Sequence, residues 1–161
     1  MTVYYFDSSA LVKRYAAEAG TIWVRGITSP NAGNVVVISL IAGAEIVAAI
    51  AKRQRMGSID STDAQQAISD FSNHFSSEYG VTPLTRQIVE RAMALAPVRG
   101  LRGYDAVQLA TVLTVNEELT AAGIAPITFV SSDIDLNTAA VHEGLTAEDP
   151  QSHPDARDLT P

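Results

Sequence analysis

No cysteine occurs in the 161 residues, so the chain can build neither a disulfide framework nor a thiolate zinc site. That absence suits a reducing compartment, and the expected location is the cytoplasm. Cations are scarce as well: 11 Lys and Arg stand against 18 Asp and Glu, a net charge of −7. A chain that grips nucleic acid through phosphates normally shows the reverse balance. The deficit is uneven, however. Of the −7, residues 147–161 hold −3, from Glu148, Asp149, Asp155 and Asp158 against Arg157, which leaves −4 for residues 1–146. A basic leader is also lacking, since an acid arrives by Asp7, and no secretory signal is expected. Nor is there a run fit to span a bilayer. Val35 to Ala51 carries a single charge, Glu45, but it is short for a span, and an acid near its middle costs roughly 2.5–3.5 kcal/mol on insertion. No membrane association is expected.

What is present is apolar material in quantity. Hydrophobic residues make up 47% of the chain and mean hydropathy is +0.11, which supplies one domain with a full core. Val3-Tyr4-Tyr5-Phe6 has no polar alternation, as in a strand covered on both faces, and Val35–Ile38 and Pro126–Val130 read the same way. Between them lie helical patterns: a short one after Gly20-Thr21; one from about Leu40 to Met56, closed by Gly57; one after Ser61-Thr62-Asp63; one through Ile88 and Leu95, ending near Pro97; and one from Leu101 to about Ala122. Val81–Leu84 is a short extended segment, and Ile134–Ala140 a short helix. The alternation predicts an α/β sandwich of three layers with a mainly parallel central sheet flanked by helices, over residues 1–146. From 147 to 161 the sequence is polar, acidic and aperiodic, with Pro150, Pro154 and Pro161, and is expected to be a disordered tail.

Four acids stand out from this framework. Asp7 ends the first strand and Asp133 follows the last clear one, and ligands of open α/β sheets bind at such carboxyl edges. Asp7 could instead simply cap the helix that follows. Glu45 lies inside an apolar helix, where a lone carboxylate is costly to bury unless paired or opened to a groove. Asp105 sits in the first turn of its helix, where it also suits the dipole. Four carboxylates on one edge raise one another's pKa unless a counter-charge is present. Oxygen-only donors without Cys point to Mg²⁺ or Mn²⁺ rather than zinc. His74, near a helix end, reads as a surface residue.

At these positions the chain resembles the PIN-domain family, and within it the VapC-like ribonuclease toxins. The likeness is carried by Phe6-Asp7-Ser8-Ser9-Ala10-Leu11-Val12-Lys13, Ala44-Glu45-Ile46, Tyr104-Asp105-Ala106 with Leu109-Ala110, and Phe129-Val130-Ser131-Ser132-Asp133, in order over about residues 3–146. It implies that Asp7, Glu45, Asp105 and Asp133 hold the metal, with Ser9 a polar helper beside Asp7. Gln108 departs from the pattern, where many relatives place His, and Asp135 adds a second acid beside Asp133. The implied chemistry is metal-dependent hydrolysis of RNA, leaving a 5′-phosphate and a 3′-hydroxyl. A VapB-like antitoxin partner and a homodimer are implied by the resemblance alone.

Lys13, Arg14, Lys52, Arg53, Arg55 and Arg102 flank the acid-bearing segments and are candidates for backbone phosphate contacts. Rival readings remain beside this one: a PIN-like protein-binding module without turnover, a housekeeping nuclease, or a DNA nuclease. A haloacid-dehalogenase-type phosphatase is excluded because Ser9 stands where its second Asp is needed. A receiver domain would need paired early acids and a late Lys after a strand.

Overall fold

Val3–Phe6 forms β1 at the centre of the sheet, and its alternate side chains enter two separate cores. In the computed structural model, which describes residues 1–153, four more strands join it: β2 (Val35–Ser39), β3 (Gly80–Thr82), β4 (Thr128–Val130) and β5 (Thr146–Glu148). Every neighbouring pair is parallel and the order is β3-β2-β1-β4-β5. The helices are α1 (Ser8–Leu11), α2 (Thr21–Ile27), α3 (Ala42–Arg55), α4 (Ser61–Ser77), α5 (Arg86–Arg99), α6 (Gly103–Ala121) and α7 (Ile134–His142). Phe6, Val36 and Ile38 pack with Ile46, Ile50 and Phe71 from α3 and α4 on one face. Tyr5, Val37 and Phe129 pack with Leu109, Val112 and Leu136 from α6 and α7 on the other. A three-layer α/β sandwich results, as the strand and helix alternation predicts.

Because β1 lies between β2 and β4, the winding direction of the chain reverses there. The crevice at the carboxyl ends of β1 and β4 is therefore the topological switch point, where open parallel sheets bind ligands.

Several local expectations are corrected. Helix α5 ends near Pro97, as expected, at Arg99, but the stop itself is Gly100 (φ +65°), with Leu101 donating back to the Ala96 carbonyl. Asp60, rather than Ser61-Thr62-Asp63, caps α4 by accepting from the Asp63 amide. His74 is not a free surface residue: its Nδ1 meets the Tyr15 hydroxyl at 2.8 Å and its ring packs beside Tyr79.

The reading of 147–161 as a tail is also corrected in its first part. Thr146–Glu148 pairs with β4, Pro150 is buried, and His153 stacks on Trp23 with ring centres 4.2 Å apart. Three residues of mixed polarity carry no strand signal of their own; the free edge of β4 supplies it. Gly20 makes room for this segment, since a Cβ there would stand 2.4 Å from the Pro150 carbonyl oxygen. Residues 154–161, the rest of the expected tail, lie outside the described residues.

Candidate active site

The site is built first from hydrogen bonds between two strand ends. The Asp7 amide donates to the Val130 carbonyl at 2.9 Å, tying the end of β1 to that of β4. Asp7 is buried, and its Oδ2 accepts from Ser9 Oγ at 2.5 Å and from Ser131 Oγ at 3.1 Å. Ser131 Oγ in turn accepts from the Asp133 amide at 3.1 Å, and Ser9 Oγ accepts from the Ser132 amide at 3.0 Å. Asp7 also caps α1 through the Ser9 amide, and Asp133 caps α7 through the Leu136 amide. The capping role and the position in the crevice thus coincide in both acids. Burial raises the pKa of Asp7, and the two serine hydroxyls only partly offset it.

Glu45 reaches the same crevice from α3. Its Oε1 accepts from Gln108 Nε2 at 3.2 Å, and Gln108 Oε1 accepts from the Tyr5 hydroxyl at 2.7 Å. Gln108 is fully buried, so the position noted as a departure holds Glu45 from behind rather than lining the entrance. Burial, joined by the charges of Asp7 and Asp105, pushes the Glu45 carboxyl up to about 7. Asp105 stands in the first turn of α6, with Arg102 Nε 3.2 Å from its Oδ2 and Arg102 Nη2 3.9 Å from Asp133 Oδ2. Asp135, by contrast, faces away, toward Arg99 and His142.

Of the four acids Glu45 opens directly on a cleft of about 660 Å³, lined also by Ser8, Ser9, Lys13, Glu18, Lys52, Arg53, Arg102, Ser132 and Gln151; Asp7 adjoins it through Ser9, and Asp105 and Asp133 through Arg102. Lys13, Lys52, Arg53 and Arg102 thus face the cleft, whereas Arg14 bonds Glu78 and Tyr79 and lines a different hollow, of about 560 Å³, beside α4.

A hard divalent cation suits this donor chemistry. The carboxylates repel one another, and the hydroxyl of Ser132 is buried at the cleft without a partner among the described residues, while that of Ser8 lies beside Glu45. In their present rotamers, though, no three His or carboxylate side chains among the described residues are gathered closely enough to hold an ion. The fit is one of chemistry and charge, with Arg102 supplying part of the positive charge between Asp105 and Asp133.

Over 117 residues the chain is 30% identical to Ribonuclease VapC45 and, equally, to Ribonuclease VapC49, both of Mycobacterium tuberculosis; each match covers 73% of this chain and 79% of the relative. The chain belongs to the VapC ribonuclease family. No family model matches it. Among solved structures, PAE2754 from Pyrobaculum aerophilum superposes with a TM-score of 0.59 at 20% identity, covering 94% of this chain and 92% of that one. VapBC2 from Rickettsia felis, solved bound to a DNA fragment from its promoter, gives 0.53 at 16% identity over 92% and 98%. A toxin–antitoxin complex from Klebsiella pneumoniae gives 0.50 at 16% over 81% and 86%. At such identities these three speak for the fold.

In this VapC chain, sequence reading missed Ser131, Tyr5 and the holding role of Gln108. Ser131 lies inside a quoted motif, next to a strand end, and that position was the available signal. Tyr5 gave none, because an aromatic in a buried strand reads as core.

Proposed function

We propose that this VapC chain cleaves RNA phosphodiesters as the toxin of a toxin–antitoxin pair, and that cleavage depends on Mg²⁺ or Mn²⁺. What supports the reading is the position of Asp7 and Asp133 at the ends of β1 and β4, of Glu45 near enough to feel the charges of Asp7 and Asp105, and of Asp105 and Asp133 on either side of Arg102, beside a cleft whose walls carry four cations. Asp7 and Asp105, with Glu45 and Asp133, would hold the ion, whose chemistry is to polarise the scissile phosphate and to acidify water. Ser9 and Ser131 fix the Asp7 carboxylate, and Gln108 fixes that of Glu45. In-line attack of water opposite the 3′-oxygen would break the P–O3′ bond; the water gives up a proton to solvent and the 3′-oxygen takes one from solvent, leaving a 5′-phosphate and a 3′-hydroxyl. The partner is a VapB-like antitoxin, a reading in keeping with two of the structural relatives having been solved as toxin–antitoxin assemblies.

The deciding experiment incubates purified protein with single-stranded RNA and with single-stranded DNA of the same sequence, with Mg²⁺, Mn²⁺ or excess chelator. RNA is cut only with metal, and Asp7→Asn and Asp105→Asn abolish cutting while preserving the circular dichroism spectrum. Cleavage that persists in chelator overturns the metal-dependent reading, and equal cleavage of DNA overturns the choice of RNA.

A further inference from the structure

Lys13 is a charged residue with almost no exposure, 3%, and the sliver it shows opens on the active-site cleft. Its ammonium makes no hydrogen bond to any described residue, and the nearest acid is Glu18, whose Oε1 is 3.7 Å from Nζ. A buried ammonium is expected to be fully paired, because desolvation removes the water that would otherwise satisfy its three donors. Here one weak contact is all that the described residues offer. The same oxygen of Glu18 lies 2.9 Å from Arg53 Nη2, so one carboxylate serves two cations and the group keeps a net positive charge. Arg53 is steadied further by donating from Nη1 to the Ala49 carbonyl at 3.3 Å.

The placement of this pair relative to the acids is fixed by α3. Glu45, Ala49 and Arg53 follow one another at four-residue spacing, so all three face the cleft from one side of the helix. Eight residues separate Glu45 from Arg53, a rise of about 12 Å at 1.5 Å per residue. A stacked strand rises about 3.4 Å per nucleotide and the Arg53 guanidinium leans back one turn toward Ala49, so the pair stands within about three nucleotides of Glu45.

We infer that Lys13 and Arg53, tethered by Glu18, form a phosphate subsite that grips the RNA strand within about three nucleotides of the bond that is cut. The inference rests on the ribonuclease reading and adds to it a register: the strand is held at one phosphate and hydrolysed at another, with α3 as the ruler. Lys13 and Arg53 are positioning residues. Their loss weakens capture without altering the reacting groups.

The test uses the full chain with Mg²⁺ and a fluorescent single-stranded RNA, measuring kcat and KM from about 50 to 200 mM salt. Arg53→Gln and Lys13→Met each raise KM by roughly fivefold to twentyfold, leave kcat within about twofold, and reduce the slope of log(kcat/KM) against log salt by about 0.7, the value for one phosphate contact on a single strand. Replacing the RNA phosphates one at a time by neutral methylphosphonate locates the contact. One position, within about three nucleotides of the cut, raises KM for the wild type and adds nothing in Arg53→Gln. Lys13→Met alters a buried position and risks the fold, whereas Arg53 is part-exposed on a helix, so Arg53→Gln decides. An unchanged KM and salt slope in that variant, with the wild type cutting RNA, overturns the subsite while leaving the ribonuclease reading intact. A wild type that cuts no RNA overturns both.

Discussion

At the scale of single residues, the acids carry a cost that their chemistry explains. Asp7→Asn keeps an oxygen acceptor for Ser9 and Ser131 and removes a buried negative charge, so in chelator its melting temperature is expected to equal or exceed that of wild type. A fall of several degrees would show that the carboxylate acts mainly as a structural cap. Glu45 gives the corresponding pH dependence. Its folded-state pKa, about 7, lies above the ordinary 4.5, so the fold favours the neutral form. That contribution is complete below about pH 4.5 and is lost as pH rises through about 7, on the order of 1 kcal/mol after allowance for the solvent on its half-buried carboxylate. Denaturant titrations of the metal-free protein between pH 5 and 8 should show this decline, and Glu45→Gln should flatten it. Asp7 and Glu45 were legible in the sequence because an acid after an apolar strand, or inside an apolar helix, breaks the pattern around it. Lys13 was legible only as a cation near the acids. A long polar side chain reads as surface, and its burial follows from packing that no spacing reveals.

Among the elements, the last ones described depart most from sequence reading. Helices α3, α4 and α6 were visible through their apolar faces and their stops at Gly57 and Gly123. Strand β1 was visible through four consecutive apolar residues. Strand β5 has only three residues and borrows its identity from pairing with β4, while the turn at Pro150–Ser152 depends on contact with Gly20 across the molecule. A chain ending at Thr146 is therefore expected to melt lower than one ending at His153, and to lose the Gln151 wall of the cleft. Gly20→Ala isolates the same contact without truncation. It places a side chain at φ +86° and against the Pro150 carbonyl, and should cost about 1–3 kcal/mol by thermal or urea unfolding. Unchanged melting in both variants would mean that the segment adds nothing to the fold.

For the whole molecule, the net charge of −7 conceals a division of labour. The acids collect at the switch point while Lys13, Lys52, Arg53 and Arg102 line the adjoining walls, so a chain with excess acid can still present a cationic path to an anionic strand. Binding of metal to the folded state alone should raise the melting temperature with increasing Mg²⁺ or Mn²⁺ in wild type, and far less in Asp7→Asn. Equal shifts in both would place the ion elsewhere. The segment that follows α7 also bears on how the protein is made. Every strand pair in the sheet joins residues far apart in sequence, and the pairing of β4 with β5, the seating of Pro150 on Gly20 and the stacking of His153 on Trp23 come last in chain order among the described contacts. Because the crevice exists only where β1 meets β4, and β4 is itself edged by β5, no early fragment of the chain can hold the site; a nascent chain stays without it until residues 128–148 are free to pair, and the site then forms as a unit.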